Sequence, residues 1–234
     1  MTWILAIGGT DSSGGAGLSR DTAMAAALGV SVRPVVTAVT VQTNEAVLAV
    51  HPCPALSVAD QARAALATPP RPGAVKIGML GSAAVAEAAG AALPAGLPIV
   101  LDPVLKASSG GTLMAADGFG VLLRRAALVT PNLAELEVLS GVLGSPEAQA
   151  AALLALGVRA VLVKGGHGTG AESTDLLFTP DGPPLAYAAP RLAVSKRGTG
   201  CSLATAVACH LAKGSSLLAA CRNGKEDVHR WLRR

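Results

Sequence analysis

Short apolar runs that stop abruptly at glycine, proline or a polar residue recur along this chain, and Ala-rich stretches separate them. Residues 4–7 run into Gly8-Gly9, 74–77 into Gly78-Met79 and 97–101 into Asp102-Pro103. Residues 127–129 run into Thr130-Pro131-Asn132, and 158–164 into Gly165-Gly166-His167. Runs that are short, apolar throughout and closed by turn residues read as strands buried on both faces. Alternating with helices, they predict an α/β chain: three layers, α/β/α, around a central, mostly parallel sheet. In such sheets a ligand sits beyond the C-terminal ends of the strands. Thr10-Asp11, Met79, Asp102, Asn132 and Lys164 all fall at those ends.

The intervening segments complete the pattern. Helices are expected over residues 19–29, 57–67 with Ser57 as cap, 82–93 capped by Ser82, 115–124, 133–140 and 146–156. Residues 31–40, rich in valine and threonine, read as one strand, and 42–50 as a polar loop with a short extended piece. Residues 175–178 and 185–188 read as an antiparallel edge pair turned at Pro180-Asp181-Gly182.

Composition excludes several classes of partner. With 51% hydrophobic and 15% charged residues in 234, the chain has ample material for a core and none of the signature of disorder. Aromatic residues make up 2%, which leaves almost nothing on which bases stack, and the net charge of +4 is modest, so nucleic acid is not an expected partner. The apolar segment 83–97 is broken by Glu87, Gly90 and Pro94, so no membrane span is expected. The N-terminal residues lack the pattern of a signal peptide, and the reading is a soluble, cytoplasmic protein. Four scattered cysteines show neither C-x-x-C nor zinc spacing.

The most suggestive stretch is Gly198-Thr199-Gly200-Cys201, followed by an apolar run that closes on Lys213-Gly214. A helix N-terminus carries free N–H groups and the positive end of the macrodipole, and glycines let the backbone close around an anion. The stretch is therefore either a cradle for phosphoryl oxygens or a small-residue turn that packs a helix on a sheet. The glycine-rich loop 8–17 fits neither the P-loop nor the G-x-G-x-x-G fingerprint. Asn132 and Glu135 suit an ordinary helix cap or a phosphate-bound magnesium. Lys164 suits a solvated loop or a point charge on nucleotide phosphates.

The order of these motifs removes much of that ambiguity. GGTDSSGGAGLSRD (8–21), VTAVTVQ (36–42), VKIGML (75–80), VLDPV (100–104), TPNLAELE (130–137), VLVKGGH (161–167) and GTGCSL (198–203) come one after another through nearly the whole chain. The chain thereby resembles the ribokinase-like superfamily and, within it, the hydroxymethylpyrimidine/phosphomethylpyrimidine kinases of thiamine biosynthesis. The resemblance implies one kinase domain over residues 1–234, using ATP and Mg2+ to phosphorylate 4-amino-5-hydroxymethyl-2-methylpyrimidine and its monophosphate, in a homodimer. It implies catalytic roles for Cys201, Gly198, Gly200 and Lys164, and nucleotide contacts at Lys164, Gly165, Gly166, Thr199 and Asn132. It implies magnesium at Asp102 and Glu135, and an acceptor pocket lined by Gly9, Asp11, Asp21, Gln42 and Met79. Cys201 stands beside the acceptor in that reading, as a candidate thiolate base because a helix N-terminus lowers a thiol pKa.

Two other readings remain: a pyridoxal or pyridoxine kinase of the same fold, and a non-catalytic pyrimidine-binding sensor. The chain also departs from the family pattern. Lys196-Arg197 replaces the usual Thr-His, Ser19-Arg20 the usual Gln-Ala, and Lys106 an apolar residue, while Thr43-Asn44-Glu45 alters the residues after Gln42.

Overall fold

The computed structural model describes residues 1–105, 116–166, 168–194 and 196–234. The alternating runs form one eight-stranded sheet. Its parallel part comprises β1 (Trp3–Gly8), β2 (Ser31–Val36), β5 (Ala74–Ile77), β6 (Ile99–Leu101), β7 (Leu128–Val129) and β8 (Val161–Val163). β9 (Glu172–Phe178) runs antiparallel to β8, and β10 (Leu185–Pro190) closes that edge against β9, as the turn residues predict. The spatial order is β10-β9-β8-β7-β6-β5-β1-β2. The chain winds outward one way from β1 to β2 and the other way from β5 onward, so the order reverses beside β1, the usual place for a binding crevice.

Period-two alternation sends successive strand residues to opposite faces, and each face has its own helices. Leu5, Ile7, Val75, Ile77, Leu101 and Val163 pack with α2 (Ala55–Ala67), α3 (Ala83–Ala92), α5 (Leu133–Ser140) and α6 (Pro146–Ala155). Ile4, Ala74, Val100, Leu128 and Leu162 pack with α1 (Gly17–Ala27), α7 (Thr199–Ala212) and α8 (Leu217–Leu232). The three expected layers are therefore present. Ser82 caps α3 through Val85 N at 3.2 Å, and Gly214, at φ 87°, follows the end of α7.

The structure corrects several expectations. Residues 31–40 are not one strand. β2 stops at Val36, and β3 (Ala38–Gln42) leaves the main sheet to pair antiparallel with β4 (Val47–Pro52), which is the short extended piece expected in the 42–50 loop. At Thr37, between the two strands, the N–H reaches Gly8 O at 3.0 Å and the hydroxyl donates to Met79 O at 2.7 Å, which pins the turn between β2 and β3 against β1 and the end of β5. Ser57 caps nothing; α2 starts at Ala55 behind Pro54, without a side-chain cap. The helix expected over 115–124 is a 3-10 turn (Ala116–Phe119) followed by the short α4 (Gly120–Leu123), and residue 115 and Lys106 lie outside the described residues. Two glycines within three residues, Gly118 and Gly120, hold that helix short.

Candidate active site

The sheet brings the polar strand ends to one edge, and the N-terminus of α7 lies over them. Gly198 is the N-cap of α7 and takes a left-handed conformation at φ 74°, where a Cβ would run into Gly15 O. The first intrahelical bond is Ser202 N–H to Gly198 O at 2.8 Å, which leaves the N–H groups of Thr199, Gly200 and Cys201 at the helix mouth without intrahelical acceptors. Thr199 steadies the turn by donating its hydroxyl to Lys196 O at 2.7 Å.

Gly200 faces the charged group of the site. A Cβ there would stand 3.2 Å from Lys164 Nζ and 3.7 Å from Asp102 Oδ2. Lys164 donates to Asp102 Oδ1 at 2.8 Å and lies 3.6 Å from Glu135 Oε2. Burial works against the Lys164 charge, but the two carboxylates outweigh it and hold its pKa above the usual lysine value. Burial raises the Glu135 carboxyl; Lys164 opposes the shift and Asp102 adds to it.

The cap reading of Asn132 and Glu135 holds as geometry. Asn132 Oδ1 accepts from Glu135 N at 2.9 Å, and Glu135 Oε2 accepts from Asn132 N at 2.9 Å, a full capping box. That box also aims Glu135 at Lys164. Among the described residues, no three His, Cys, Asp or Glu side chains converge as a ready metal site. Asp102 and Glu135 do converge on one ammonium. A pair of carboxylates fits magnesium held largely by water and phosphate oxygens, and does not fit a protein-only cage.

A cleft of about 720 Å³ runs past Asp102, Asn132, Glu135, Lys164, Gly166 and the 198–201 turn. Gly165 is fixed beside it: its N–H donates to Asp175 Oδ1 at 2.9 Å, and Lys225 of α8 pairs with the same oxygen at 3.0 Å. His167 lies outside the described residues.

The five expected acceptor residues are not brought to that cleft together. Gly9 and Met79 touch, since a Cβ on Gly9 would be 2.9 Å from the Met79 sulfur. Asp11 is turned into its own loop, accepting from Ser13 N at 2.9 Å and Ala16 N at 2.8 Å. Gln42 donates to Thr40 Oγ1 at 2.7 Å. Asp21 is a correction. It is fully buried, 2.8 Å from Lys76 Nζ and 2.9 Å from Thr205 Oγ1, and does not line a pocket.

The electrostatics weigh against the candidate thiolate base at Cys201. Burial pushes the thiol up to about 11, against the opposing pull of the Lys76 ammonium and the Gly17 N–H. The neighbouring carboxylates of Asp21 and Asp102 reinforce the rise. Cys201 is half-buried in the wall of the main cleft, and this burial opposes the helix N-terminus, which favours the thiolate.

Sequence reasoning missed three residues. Lys76 is a lysine in the centre of a strand buried on both faces, a signal that demanded a buried partner. Arg197 stood out only as a departure from the family pattern. Its guanidinium donates to Ser13 Oγ at 2.7 Å, Thr43 O at 2.8 Å and Gln42 Oε1 at 2.9 Å, and pairs with Asp11 at 3.3 Å. It thus stitches the glycine-rich loop and the β3–β4 hairpin to the 198–201 turn. Asp175, which sets Gly165 and Lys225, lies on a strand and gave no local signal.

Lys164, Asp102 and Glu135 thus form a lysine-carboxylate cluster at the ends of β6, β7 and β8, facing the glycine-opened start of α7. The family model for phosphomethylpyrimidine kinase matches residues 11–234. The chain belongs to the phosphomethylpyrimidine kinase family. Membership makes it a kinase, a phosphotransferase of the family that the sequence motifs pointed to. It is 40% identical to the hydroxymethylpyrimidine/phosphomethylpyrimidine kinase of Rhizobium meliloti, over 96% of this chain and 88% of that one. The crystal structure of phosphomethylpyrimidine kinase from Clostridium difficile is similar with a TM-score of 0.84 and 30% identity, over 99% of both chains. The pyridoxal kinase of Staphylococcus aureus in complex with AMP-PCP and pyridoxal is similar with a TM-score of 0.87 and 28% identity, over 99% of this chain and 88% of that one. The ribokinase-like fold expected from the motifs agrees with these likenesses. Among the described residues no helix is long and apolar enough to cross a membrane.

Proposed function

We propose that this chain transfers the γ-phosphoryl group of ATP, with Mg2+, to the hydroxymethyl oxygen of 4-amino-5-hydroxymethyl-2-methylpyrimidine and then to the resulting monophosphate, in thiamine biosynthesis. The observation that carries the reading is the 198–201 turn set directly above Lys164, Asp102 and Glu135. Phosphoryl transfer needs alignment and charge neutralisation more than covalent help. The N–H groups of Thr199, Gly200 and Cys201 donate to phosphoryl oxygens, and Lys164 supplies a point charge on the nucleotide side. Asp102 and Glu135 would hold magnesium, which would supply charge neutralisation for the transferring group. Asn132, Gly165 and Gly166 shape the nucleotide wall. Gly9, Met79, Asp11 and Gln42 shape the acceptor side, where Asp11 and Gln42 act from within the hydrogen-bond network of Arg197. Residues 1–234 act as one catalytic unit, and the homodimer rests on the family resemblance.

The cytoplasmic setting is likewise part of this reading. A second reading, pyridoxal phosphorylation, is favoured by the likeness to the S. aureus pyridoxal kinase. A coupled ATP-consumption assay with magnesium tests both, run on the pyrimidine, its monophosphate and pyridoxal. Turnover on both pyrimidines is the expected result. Turnover on pyridoxal alone overturns the substrate and keeps the site, and pyrimidine binding without turnover makes the chain a sensor.

A further inference from the structure

Two of the departures from the family pattern, distant in sequence, meet in space. Arg20 on α1 and Lys196 before the 198–201 turn both lie over the ring of Trp231 on α8, at 4.9 Å and 5.3 Å from its centroid. With Arg197, Gly14, Gly15 and Asn44 they line a separate cavity of about 430 Å³. Lys196 and Arg197 also belong to the wall of the main cleft, so the two cavities share a boundary.

Three cations thus converge with little to balance them. Among the described residues, Asp11 pairs with Arg197, and no carboxylate pairs with Arg20 or Lys196. Arg20 Nε and Arg197 Nε are buried and make no hydrogen bond. A buried donor without an acceptor costs about 1–3 kcal/mol, and more when charged. Such groups persist where something outside the chain supplies the acceptor. Like charges held this close are also mutually repulsive until an anion joins them. Guanidinium forks match phosphate oxygens in pairs, and lysine adds a point charge.

We propose that Arg20, Lys196, Arg197 and Trp231 form a second anion site that takes a phosphate group, either as a small phosphate monoester or as free phosphate. It shares Lys196 and Arg197 with the main cleft, and Gly198 of the 198–201 turn packs against its Gly15 and Arg20. Its existence does not depend on which acceptor the enzyme phosphorylates. An occupied site would anchor Arg197, and through it the Asp11 loop and Gln42, with its charge already balanced.

The chain has two tryptophans, and Trp3 sits at the opposite end of β1, so a Trp3→Phe protein reports Trp231 fluorescence alone. That protein is titrated with inorganic phosphate and with the pyrimidine monophosphate, and with chloride at matched ionic strength. The expected result is a saturable change with phosphate compounds that chloride does not reproduce. It is weakened about tenfold or more in Arg20→Ala and in Lys196→Gln, as expected for loss of one charge-assisted contact. It survives in Gly200→Ala, whose added methyl occupies the other anion site. A much tighter monophosphate titration assigns the site to the phosphorylated acceptor, and equal titrations assign it to free phosphate. A response matched by chloride, or kept in both cation variants, or lost only in Gly200→Ala, overturns the proposal. Lys196→Arg, which keeps the charge and disturbs the packing equally, separates lost binding from lost folding by restoring the signal.

Discussion

Lys76 offers the sharpest test of how this site is supported. Its ammonium is 1% exposed, pairs with the wholly buried Asp21 at 2.8 Å, and also feels the field of Asp102. Burial disfavours the Lys76 charge, yet the carboxylates of Asp21 and Asp102 outweigh it, so Lys76 enters the pair as an ammonium. Removing one partner of a buried pair strands the other, at a cost of about 3–5 kcal/mol. Lys76→Met should therefore lose about that much stability. In a chain of this size it corresponds to a fall in Tm of about 6–20 °C, at roughly 2–4 °C per kcal/mol. Lys76→Met with Asp21→Asn removes both charges and leaves an amide for Thr205. A neutral, well-packed replacement of a buried pair costs little, so the double variant should recover to within about 1–2 kcal/mol of the wild type.

Urea unfolding followed by circular dichroism at pH 7 measures all three proteins. A loss below about 1 kcal/mol in the single variant, or a double variant no more stable than the single one, refutes the reasoning. The pH dependence gives a second check. Burial already raises the Asp21 carboxyl, and losing Lys76 removes the largest opposing influence. A carboxyl whose folded pKa lies above its unfolded value contributes stability below the unfolded value and loses it as pH rises through the folded one. Lys76→Met should therefore approach the wild type as pH falls toward about 4, the ordinary aspartate range, and diverge from it above.

Two further outcomes concern the helix mouth. Gly200→Ala places a methyl 3.2 Å from Lys164 Nζ, in the space assigned to phosphoryl oxygens. Its kcat should fall about 100-fold or more while stability changes by less than about 1 kcal/mol, and steady-state kinetics within about threefold of wild type would reject the anion hole. Cys201, protonated until about pH 11, should alkylate slowly with iodoacetamide at pH 7 and faster as pH rises toward that value. Cys201→Ala should keep kcat within about tenfold; a larger loss with unchanged KM returns the thiol to proton transfer.

Much of this molecule was legible in its residues. Short apolar runs closed by turn residues can be satisfied only as strands between two helical layers, because each run must hide both faces from water. The same logic located the strand-end residues Asp102, Asn132 and Lys164, and the helix start at Gly198, because backbone and capping requirements are local. Direction at a single residue was not legible: the Thr37 hydroxyl fixes the turn after β2 by donating to Met79 O, which sequence does not bring near. Ser57 has the chemistry of a cap, but the chain enters α2 too early to use it. Asp21 has the look of a site residue and proves to be the counterion of Lys76. Cys201 sits at a helix N-terminus as expected, yet burial by neighbouring segments raises its thiol against the pull of the helix. The convergence of Arg20, Lys196 and Arg197 on one cavity belongs to the same class. Local patterning determines what each segment is, since periodicity, caps and turns involve neighbours in sequence. Burial, ion pairing and pKa depend on distances between segments, and those exist only once the layers have packed.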